Sequence, residues 1–151
     1  MFETLDLKTI DEFRGKYFFL SNFFIKNVLY KGFWYRSSEH AFQAQKAINE
    51  IDRLFLANAQ TPAIAKRRCN EIILRPDWYA VRMLEMHDIL ICKFSDNVLS
   101  KKLLETGDAL LIEGNSWGDR YWGMVRDKVT GEWKGDNFLG QLLMKVRNEI
   151  R

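Results

Sequence analysis

The chain has 151 residues, of which 47% are hydrophobic and 28% are charged, and its formal net charge is +3 at pH 7. A domain takes roughly 100–200 residues, so this length predicts a single domain over residues 1–151. The composition excludes a disordered, collagen-like or acidic solvating chain. The small net charge argues against a protein that coats nucleic acid and is compatible with a local basic groove or a small anionic ligand.

The elements predicted in the first half of the chain are a hairpin and two helices. The hairpin is predicted over 16–35, where aromatic and β-branched runs carry turn signals. The first helix is expected to begin near Glu39, with Ser37 or Ser38 as its N-cap. The second is expected to begin at Pro62, behind a threonine cap, because proline suits the first helical position.

The second half is predicted to be mostly helical, with one strand and one irregular loop. The expected elements are a helix capped by Asp77 that runs to about Phe94, a helix from about Val98 to Thr106 that ends at Gly107, a buried strand at Ala109–Glu113, a glycine-rich loop at Gly114–Gly123 and an amphipathic helix at Phe138–Glu149. Together the elements predict an α+β domain in which several helices pack around a small, largely antiparallel sheet.

Cysteine content and hydropathy bear on the compartment and on metal sites. Cys69 and Cys92 have no CxxC spacing and too few histidines for a zinc site, so both are expected to be free, buried thiols. The N-terminal residues do not resemble a secretory signal, and no apolar run approaches the ~18 residues of a membrane helix. These patterns predict a cytoplasmic protein with no membrane partner and no metal.

The first candidate site is the segment that follows the predicted hairpin. Glu39, Gln43 and Lys46 have the spacing i, i+4, i+7 and would share one face of a helix. A helix dipole favours the anion of Glu39, and Lys46 is suited to bind a phosphate or to act as an amine nucleophile. Spacing alone favours the alternative of an ordinary solvated face. His40 is expected to be a structural hydrogen-bonding residue.

The second candidate site is the glycine-rich loop. Asp119 and Trp122 place an acid beside an aromatic wall, which suits a stacked base. Core filling by the tryptophan and turn capping by the acid explain the same residues. Trp78 has the same two interpretations, packing or stacking.

Polar residues elsewhere are candidates for binding an anionic substrate. Arg14 can hold a phosphate or carboxylate with two hydrogen bonds, and Gly15 would let the backbone come close to it. Asn22 is a polar residue within an aromatic stretch, and Asn137 is either a helix cap or a ligand contact. A simple turn with a surface arginine also fits Arg14 and Gly15. The motifs GxxxxGK[ST], GxGxxG, HExxH and GxSxG are absent, which excludes the commonest routes to nucleotide hydrolysis, dinucleotide binding, zinc proteolysis and α/β-hydrolase chemistry.

Taken in chain order, these motifs resemble the NADAR family, also called YbiA-like proteins. The matching segments include Phe13-Arg14-Gly15, Leu20–Phe23, Ser38–Ala47, Asp77-Trp78, Asp119, Trp122-Gly123 and Asn137–Met144. The resemblance implies a single α+β domain with the YbiA-like fold. It also implies an N-glycosidase that cleaves the bond between ribose C1 and a base nitrogen.

The resemblance implies phosphoribosylamino-pyrimidines, which are early intermediates of riboflavin biosynthesis, as the substrates. One alternative is an ADP-ribosyl hydrolase that removes ADP-ribose from guanine, for which nucleic acid would be a partner only as the modified substrate. The other alternative is a non-catalytic module that binds nucleotide sugars. No cofactor and no metal are implied.

The family's functional residues carry over to three catalytic positions. Glu39 and Asp119 match its acids: one would stabilise the oxocarbenium-like sugar or activate water, and the other would transfer a proton, with the division left open. Lys46 matches a lysine that in a second version attacks C1 and forms an imine. The remaining expected contacts, with the base, the sugar or the phosphate, are Arg14, Gly15, Asn22, Trp78, Trp122 and Asn137.

Overall fold

The structure, a computed structural model, describes residues 8–151. In chain order its elements are β1 (Thr9–Ile10), β2 (Ile25–Tyr30), β3 (Phe33–Ser37), α1 (Ser38–Ala44), α2 (Glu50–Ala57), α3 (Pro62–Arg68), α4 (Trp78–Lys93), α5 (Asn97–Glu105), β4 (Leu110–Leu111), β5 (Gly114–Asn115), β6 (Met124–Arg126), β7 (Trp133–Lys134) and α6 (Phe138–Glu149), with 3-10 helices at Gly15–Leu20 and Cys69–Glu71. The described residues divide into two compact units, one formed by residues 8–21 together with Ser100–Arg151 and the other by Asn22–Leu99.

The predicted α+β class is confirmed, and the strands lie in three small sheets rather than one. Strands β1 and β4 form a parallel pair, β2 and β3 an antiparallel hairpin, and β5, β6 and β7 a mixed sheet. The expectation of one largely antiparallel sheet is therefore wrong, because the described strands form three sheets and two of these contain parallel pairs. Periodicity indicates where a strand lies but not which strand it pairs with, and the partners β1 and β4 are far apart in sequence.

The hairpin occupies only part of its predicted range. Its turn is at Lys31 and Gly32, which both have positive φ, of 49° and 79°, as a tight two-residue turn requires. Residues 16–20, which were expected to belong to the hairpin, instead form part of the 3-10 helix Gly15–Leu20. Phe19 and Leu20 at the end of this helix are buried, so packing overrides the strand preference of the aromatic residues.

A partly buried ionic cluster attaches the hairpin to helix α4. The Tyr30 hydroxyl donates to Glu85 Oε2 at 2.6 Å, and Lys31 Nζ donates to Glu85 Oε1 at 2.8 Å. Burial and the neighbouring Glu85 carboxylate raise the pKa of Tyr30 far above its usual value, so the phenol stays protonated. The hairpin turn is therefore fixed to α4 by charge-assisted hydrogen bonds.

Capping explains most of the helix starts. The Thr61 hydroxyl accepts from the Ile64 backbone N–H at 3.1 Å, which confirms the predicted start of α3. Helix α4 begins where predicted, but the Asp77 carboxylate binds Arg75, at 2.6 and 2.9 Å, instead of capping the helix. Helix α2, which has an Asn49 cap, was not predicted. Over residues 8–151 no helix has the length and apolarity needed to cross a membrane.

Candidate functional site

Helix α1 is buried over its whole length, so its polar residues do not form a solvated face. Glu39 is 7% exposed and Gln43 is 3% exposed. The Ser37 hydroxyl caps the helix by accepting from the His40 backbone N–H at 3.1 Å. The solvated-face alternative is therefore wrong. Burying a carboxylate is costly unless other groups satisfy it, which makes Glu39 a candidate functional group.

The Glu39 carboxylate is held by a neighbour one turn along α1. Gln43 Nε2 donates to Glu39 Oε1 at 2.8 Å. A carboxylate oxygen can only accept here, so this contact fixes the orientation of the Gln43 amide. Gln43 Oε1 is buried and has no hydrogen-bond partner among the described residues. The predicted i, i+4 pair is thus a direct hydrogen bond, and Gln43 Oε1 is an acceptor that no described residue uses.

Lys46 lies just past the end of α1, in the turn that follows it. Its Nζ is 5.7 Å from the ring centroids of both Phe42 and Trp78, within the range of cation–π attraction. Nζ also lies 3.7 Å from Cys69 Sγ. Among residues 8–151 no carboxylate forms an ion pair with this half-buried ammonium, which leaves it able to meet an anion or a carbonyl carbon.

Trp78 is an interior residue rather than an exposed aromatic platform. It is 4% exposed, and its ring packs on the Phe42 ring with centroids 5.1 Å apart. The two rings form an apolar floor under the Lys46 ammonium. Stacking of a base on Trp78 stays a prediction.

Asn22 supports the start of α1. Its backbone oxygen accepts from the Glu39 N–H at 3.1 Å, and its side-chain oxygen accepts from the Ser38 hydroxyl at 2.8 Å. Its Nδ2 donates to Met86 Sδ at 3.5 Å. These bonds fix the backbone that carries Glu39, while direct contact between Asn22 and a substrate stays a prediction.

His40 is held by hydrogen bonds on both ring nitrogens. Nε2 lies 2.8 Å from the Ala59 carbonyl oxygen, which can only accept, so we place the proton on Nε2. Nδ1 then accepts from the Ser37 hydroxyl at 2.7 Å. Burial lowers the pKa of His40 and keeps the ring neutral. The expected structural role agrees with this geometry.

In the other unit, Asp119 organises its own loop. Its Oδ1 accepts from the backbone N–H groups of Tyr121 and Trp122, each at 3.0 Å. Its backbone is bonded on both sides to the Asn115 amide, at 2.8 and 3.0 Å. This is the turn-capping geometry that was one of the two interpretations of Asp119. A catalytic role for the carboxylate stays a prediction.

Trp122 lies in the same loop and is half-buried. The Tyr121 ring meets it edge-on, with centroids 4.9 Å apart and an interplanar angle of 88°. The Trp122 carbonyl accepts from Leu139 N at 3.0 Å, which ties the loop to the start of α6. Gly123 cannot be replaced without a shift, because a Cβ there would collide with the Glu113 carbonyl oxygen.

The three remaining predicted residues belong to the same unit. Arg14 is exposed, and no carboxylate in the described part of the chain pairs with it. Gly15 has φ of 56°, which favours glycine. Asn137 is 6% exposed; its Nδ2 donates to the Leu111 carbonyl and its Oδ1 accepts from Glu113 N, each at 2.9 Å. Asn137 therefore joins the start of α6 to the chain around β4, and ligand binding by these residues stays a prediction.

Both cysteines are free but only partly buried, which corrects the expectation of two buried thiols. Burial raises the pKa of Cys92.

Cys69 and Phe42 are the contacts of Lys46 that sequence reasoning missed. Cys69 is far from Lys46 in sequence, and no local pattern pairs the two. Phe42 lies four residues before Lys46, a spacing that brings side chains together along a helix and could have predicted the contact. Within residues 8–151 no three His, Cys, Asp or Glu side chains come together as a metal site.

Comparison with known proteins gives the family. The profile of the NADAR domain matches residues 11–151. The chain belongs to the NADAR family. An N-glycosidase of Nostoc punctiforme is 36% identical to this NADAR chain over 137 residues, which cover 87% of the chain and 84% of the relative. A riboflavin biosynthesis protein of Vibrio vulnificus is 35% identical over 136 residues, which cover 88% of the chain but 35% of that longer protein.

A solved structure supports the fold of this NADAR chain. The NMR structure of the E. coli protein YbiA superposes with a TM-score of 0.78 at 34% identity, covering 97% of this chain and 87% of YbiA. The YbiA-like α+β fold that the motifs implied is thereby confirmed. The E. coli relative is named N-glycosidase YbiA.

Proposed function

We propose that this NADAR protein is an N-glycosidase that hydrolyses the ribose C1–N bond of phosphoribosylamino-pyrimidines. The observation that carries the proposal is the buried Glu39 carboxylate, held at 2.8 Å by the Gln43 amide. The names of the relatives, N-glycosidase and riboflavin biosynthesis protein, support the reaction and the substrate class. The products would be a ribose phosphate and the free amino-pyrimidine.

Glu39 has the chemistry that cleavage of an N-glycoside needs. The sugar passes through an oxocarbenium-like state in which positive charge develops at C1 and the ring oxygen. A carboxylate that is already desolvated and oriented stabilises that charge without reorganising at the moment of reaction. The backbone bond from Glu39 N to Asn22 O, at 3.1 Å, and the Gln43 amide supply the orientation.

Lys46 serves one of two roles in the proposed reaction. In the first, its ammonium binds the phosphate while water attacks C1. In the second, the ring C1–O bond opens and its oxygen takes a proton, the neutral amine adds to C1 of the opened sugar, and the C1–N bond to the base breaks as the base leaves with a proton, which leaves an imine between Lys46 and C1. Water then hydrolyses the resulting imine, releasing the sugar phosphate and restoring the amine.

The predicted residues of the other unit are assigned by their own chemistry. The exposed Arg14 guanidinium is suited to bidentate binding of a phosphate. The Asp119 carboxylate is proposed as the second acidic group, since its Oδ1 is engaged by two backbone N–H groups and its Oδ2 accepts no hydrogen bond from the described residues. Trp122 is proposed to stack on the base.

A substrate panel tests the reaction. The purified protein is incubated with a phosphoribosylamino-pyrimidine and, in parallel, with DNA that carries ADP-ribose on guanine, and the products are identified by mass spectrometry. We expect free amino-pyrimidine and ribose phosphate from the first. Release of ADP-ribose with no action on the pyrimidine would instead support the ADP-ribosyl hydrolase.

A substitution tests Glu39 itself. Glu39→Gln keeps the shape and removes the charge, so it should lower kcat at least about 100-fold while substrate binding changes little. Glu71→Gln, at an exposed position, is the matched control and should retain wild-type turnover. Unchanged turnover in Glu39→Gln would remove Glu39 from the mechanism, and binding without turnover in the wild type would favour a non-catalytic module.

A further inference from the structure

The Gln43 side chain carries a buried acceptor that no described residue uses. Gln43 is 3% exposed, and its Oε1 has no hydrogen-bond partner among residues 8–151. Buried amide oxygens in native proteins are almost always satisfied by protein, water or a ligand. The contact from Gln43 Nε2 to Glu39 Oε1 prevents the amide from turning over to exchange its two ends. This oxygen therefore calls for a hydrogen-bond donor from outside residues 8–151.

The position of this oxygen indicates what kind of donor it would meet. Both ends of the Gln43 amide lie in one plane, so a group bonded to Oε1 lies next to the carboxylate bonded to Nε2. Under the proposed function, Glu39 acts at ribose C1. The hydroxyl on C2 is bonded to the neighbouring carbon and is the sugar's nearest hydrogen-bond donor to the reacting centre.

We propose that Gln43 is a specificity-determining residue that accepts a hydrogen bond from the ribose 2′-hydroxyl. The inference rests on the proposed function and adds to it a preference for ribosyl over 2′-deoxyribosyl substrates. Hydrogen bonds to this hydroxyl strengthen as glycosides approach the oxocarbenium-like state, so the contact contributes to catalysis as well as to binding. The same amide holds Glu39, which links recognition of the sugar to the position of the carboxylate.

The test is a cycle of two enzymes and two substrates. Wild type and Gln43→Met are compared on a phosphoribosylamino-pyrimidine and on its 2′-deoxy counterpart. Methionine keeps the length of glutamine and removes the strong acceptor. A 2′-deoxy sugar is intrinsically more labile, so the informative quantity is the change in kcat/KM on substitution, compared between the substrates. We expect the loss to be about tenfold larger for the ribosyl substrate.

A second glutamine on the same segment provides the control. Gln45 is 9% exposed, and its Nε2 donates to the Ala41 carbonyl at 2.9 Å. Gln45→Met removes a buried amide that serves only the framework, so it should leave the ratio of ribosyl to deoxyribosyl activity unchanged. Equal losses for the two substrates in Gln43→Met would overturn the inference.

Binding to the wild type decides the case if the variant does not fold. We expect ribose 5-phosphate to bind about tenfold more tightly than 2-deoxyribose 5-phosphate in calorimetry. Equal affinities would overturn the role of Gln43. Failure of the proposed function looks different, because the wild type would then release no amino-pyrimidine from the ribosyl substrate at all.

Discussion

Lys46 shows how its surroundings set the chemistry of a single residue. Its ammonium faces two aromatic rings, each 5.7 Å away, and a thiol at 3.7 Å. Among the described residues no carboxylate holds it. The amine of Lys46 can therefore act as a nucleophile without an ion pair having to break.

We therefore expect Lys46 to form a covalent imine during turnover. Borohydride added to the wild type with a phosphoribosylamino-pyrimidine should reduce the imine and leave a ribose phosphate adduct on the Lys46 peptide in mass spectrometry. Lys46→Arg keeps the positive charge but cannot form the imine, so it should give no adduct and lose at least about 100-fold in kcat. Turnover without any adduct would contradict the imine. It would favour the other role, in which Lys46 binds the phosphate and water attacks C1.

At this scale, local spacing predicted the contacts within one helix turn and nothing further. The i, i+4 relation placed Gln43 beside Glu39, as the 2.8 Å hydrogen bond shows. The Lys46 neighbours Cys69 and Trp78 come from segments after helix α3, and periodicity has no means of pairing such segments. Sequence could not choose between the two interpretations of Asp119, because an acid in a loop can cap a turn, take part in a reaction or do both. The structure shows the turn-capping hydrogen bonds.

Among the elements, helix α1 owes its start to a neutral histidine. His40 bridges the Ser37 hydroxyl and the Ala59 carbonyl, and burial lowers its pKa below the usual value of 6.5. The unfolded chain therefore binds the proton more readily than the folded one. The stability due to neutral His40 is complete above pH 6.5 and is lost as the pH falls towards the lowered folded pKa.

We expect the free energy of unfolding to fall as the pH decreases below 6.5, with a slope of at most about 1.4 kcal/mol per pH unit for this one proton. Urea unfolding at a series of pH values measures it. His40→Asn should be less stable at neutral pH and should flatten this slope. His87→Gln leaves the Ser37–His40–Ala59 contacts intact and should retain the slope. A slope that His40→Asn does not change would assign the titration to another group.

Elements with a clear cap or a long stripe were predictable, and those shaped by packing were not. Helix α6 has the predicted bounds, Phe138–Glu149, because its apolar stripe recurs over three turns. Helix α2 has an Asn49 cap but only 8 residues, so its apolar positions recur over too few turns to identify a helix from the sequence. The aromatic run at residues 17–20 was expected to be a strand but is helical, and this helix buries Phe19 and Leu20 while Phe18 stays 39% exposed.

At the scale of the whole molecule, two segments far apart in sequence, residues 8–21 and Ser100–Arg151, form one unit. Strand β1 pairs with β4, so Thr9 lies opposite Leu110. Such long-range pairing leaves no local trace in the sequence, which is why one antiparallel sheet was expected where three small sheets exist. Family resemblance supplied the fold that local patterns could not, because it compares the order of motifs over the whole chain.

The joint between β4 and α6 in this unit depends on a glycine. Gly140 lies in the first turn of α6, and a Cβ added there would collide with the Leu111 backbone carbonyl oxygen and with both polar atoms of the Asn137 side chain. Asn137 itself donates to that Leu111 carbonyl at 2.9 Å. Gly140 is therefore required by close approach of the two elements, and a backbone oxygen cannot yield as a flexible side chain would.

Gly140→Ala should lower the free energy of unfolding by about 2 kcal/mol, even though alanine is the better helix former by about 1 kcal/mol. Urea unfolding followed by far-UV circular dichroism measures the change. Lys145→Ala, at an exposed position of the same helix, should change the value by less than about 0.5 kcal/mol. A Gly140→Ala protein as stable as the wild type would show that α6 does not pack this closely on Leu111. A loss confined to that variant would show that the C-terminal helix and the chain around β4 are held by direct backbone contact.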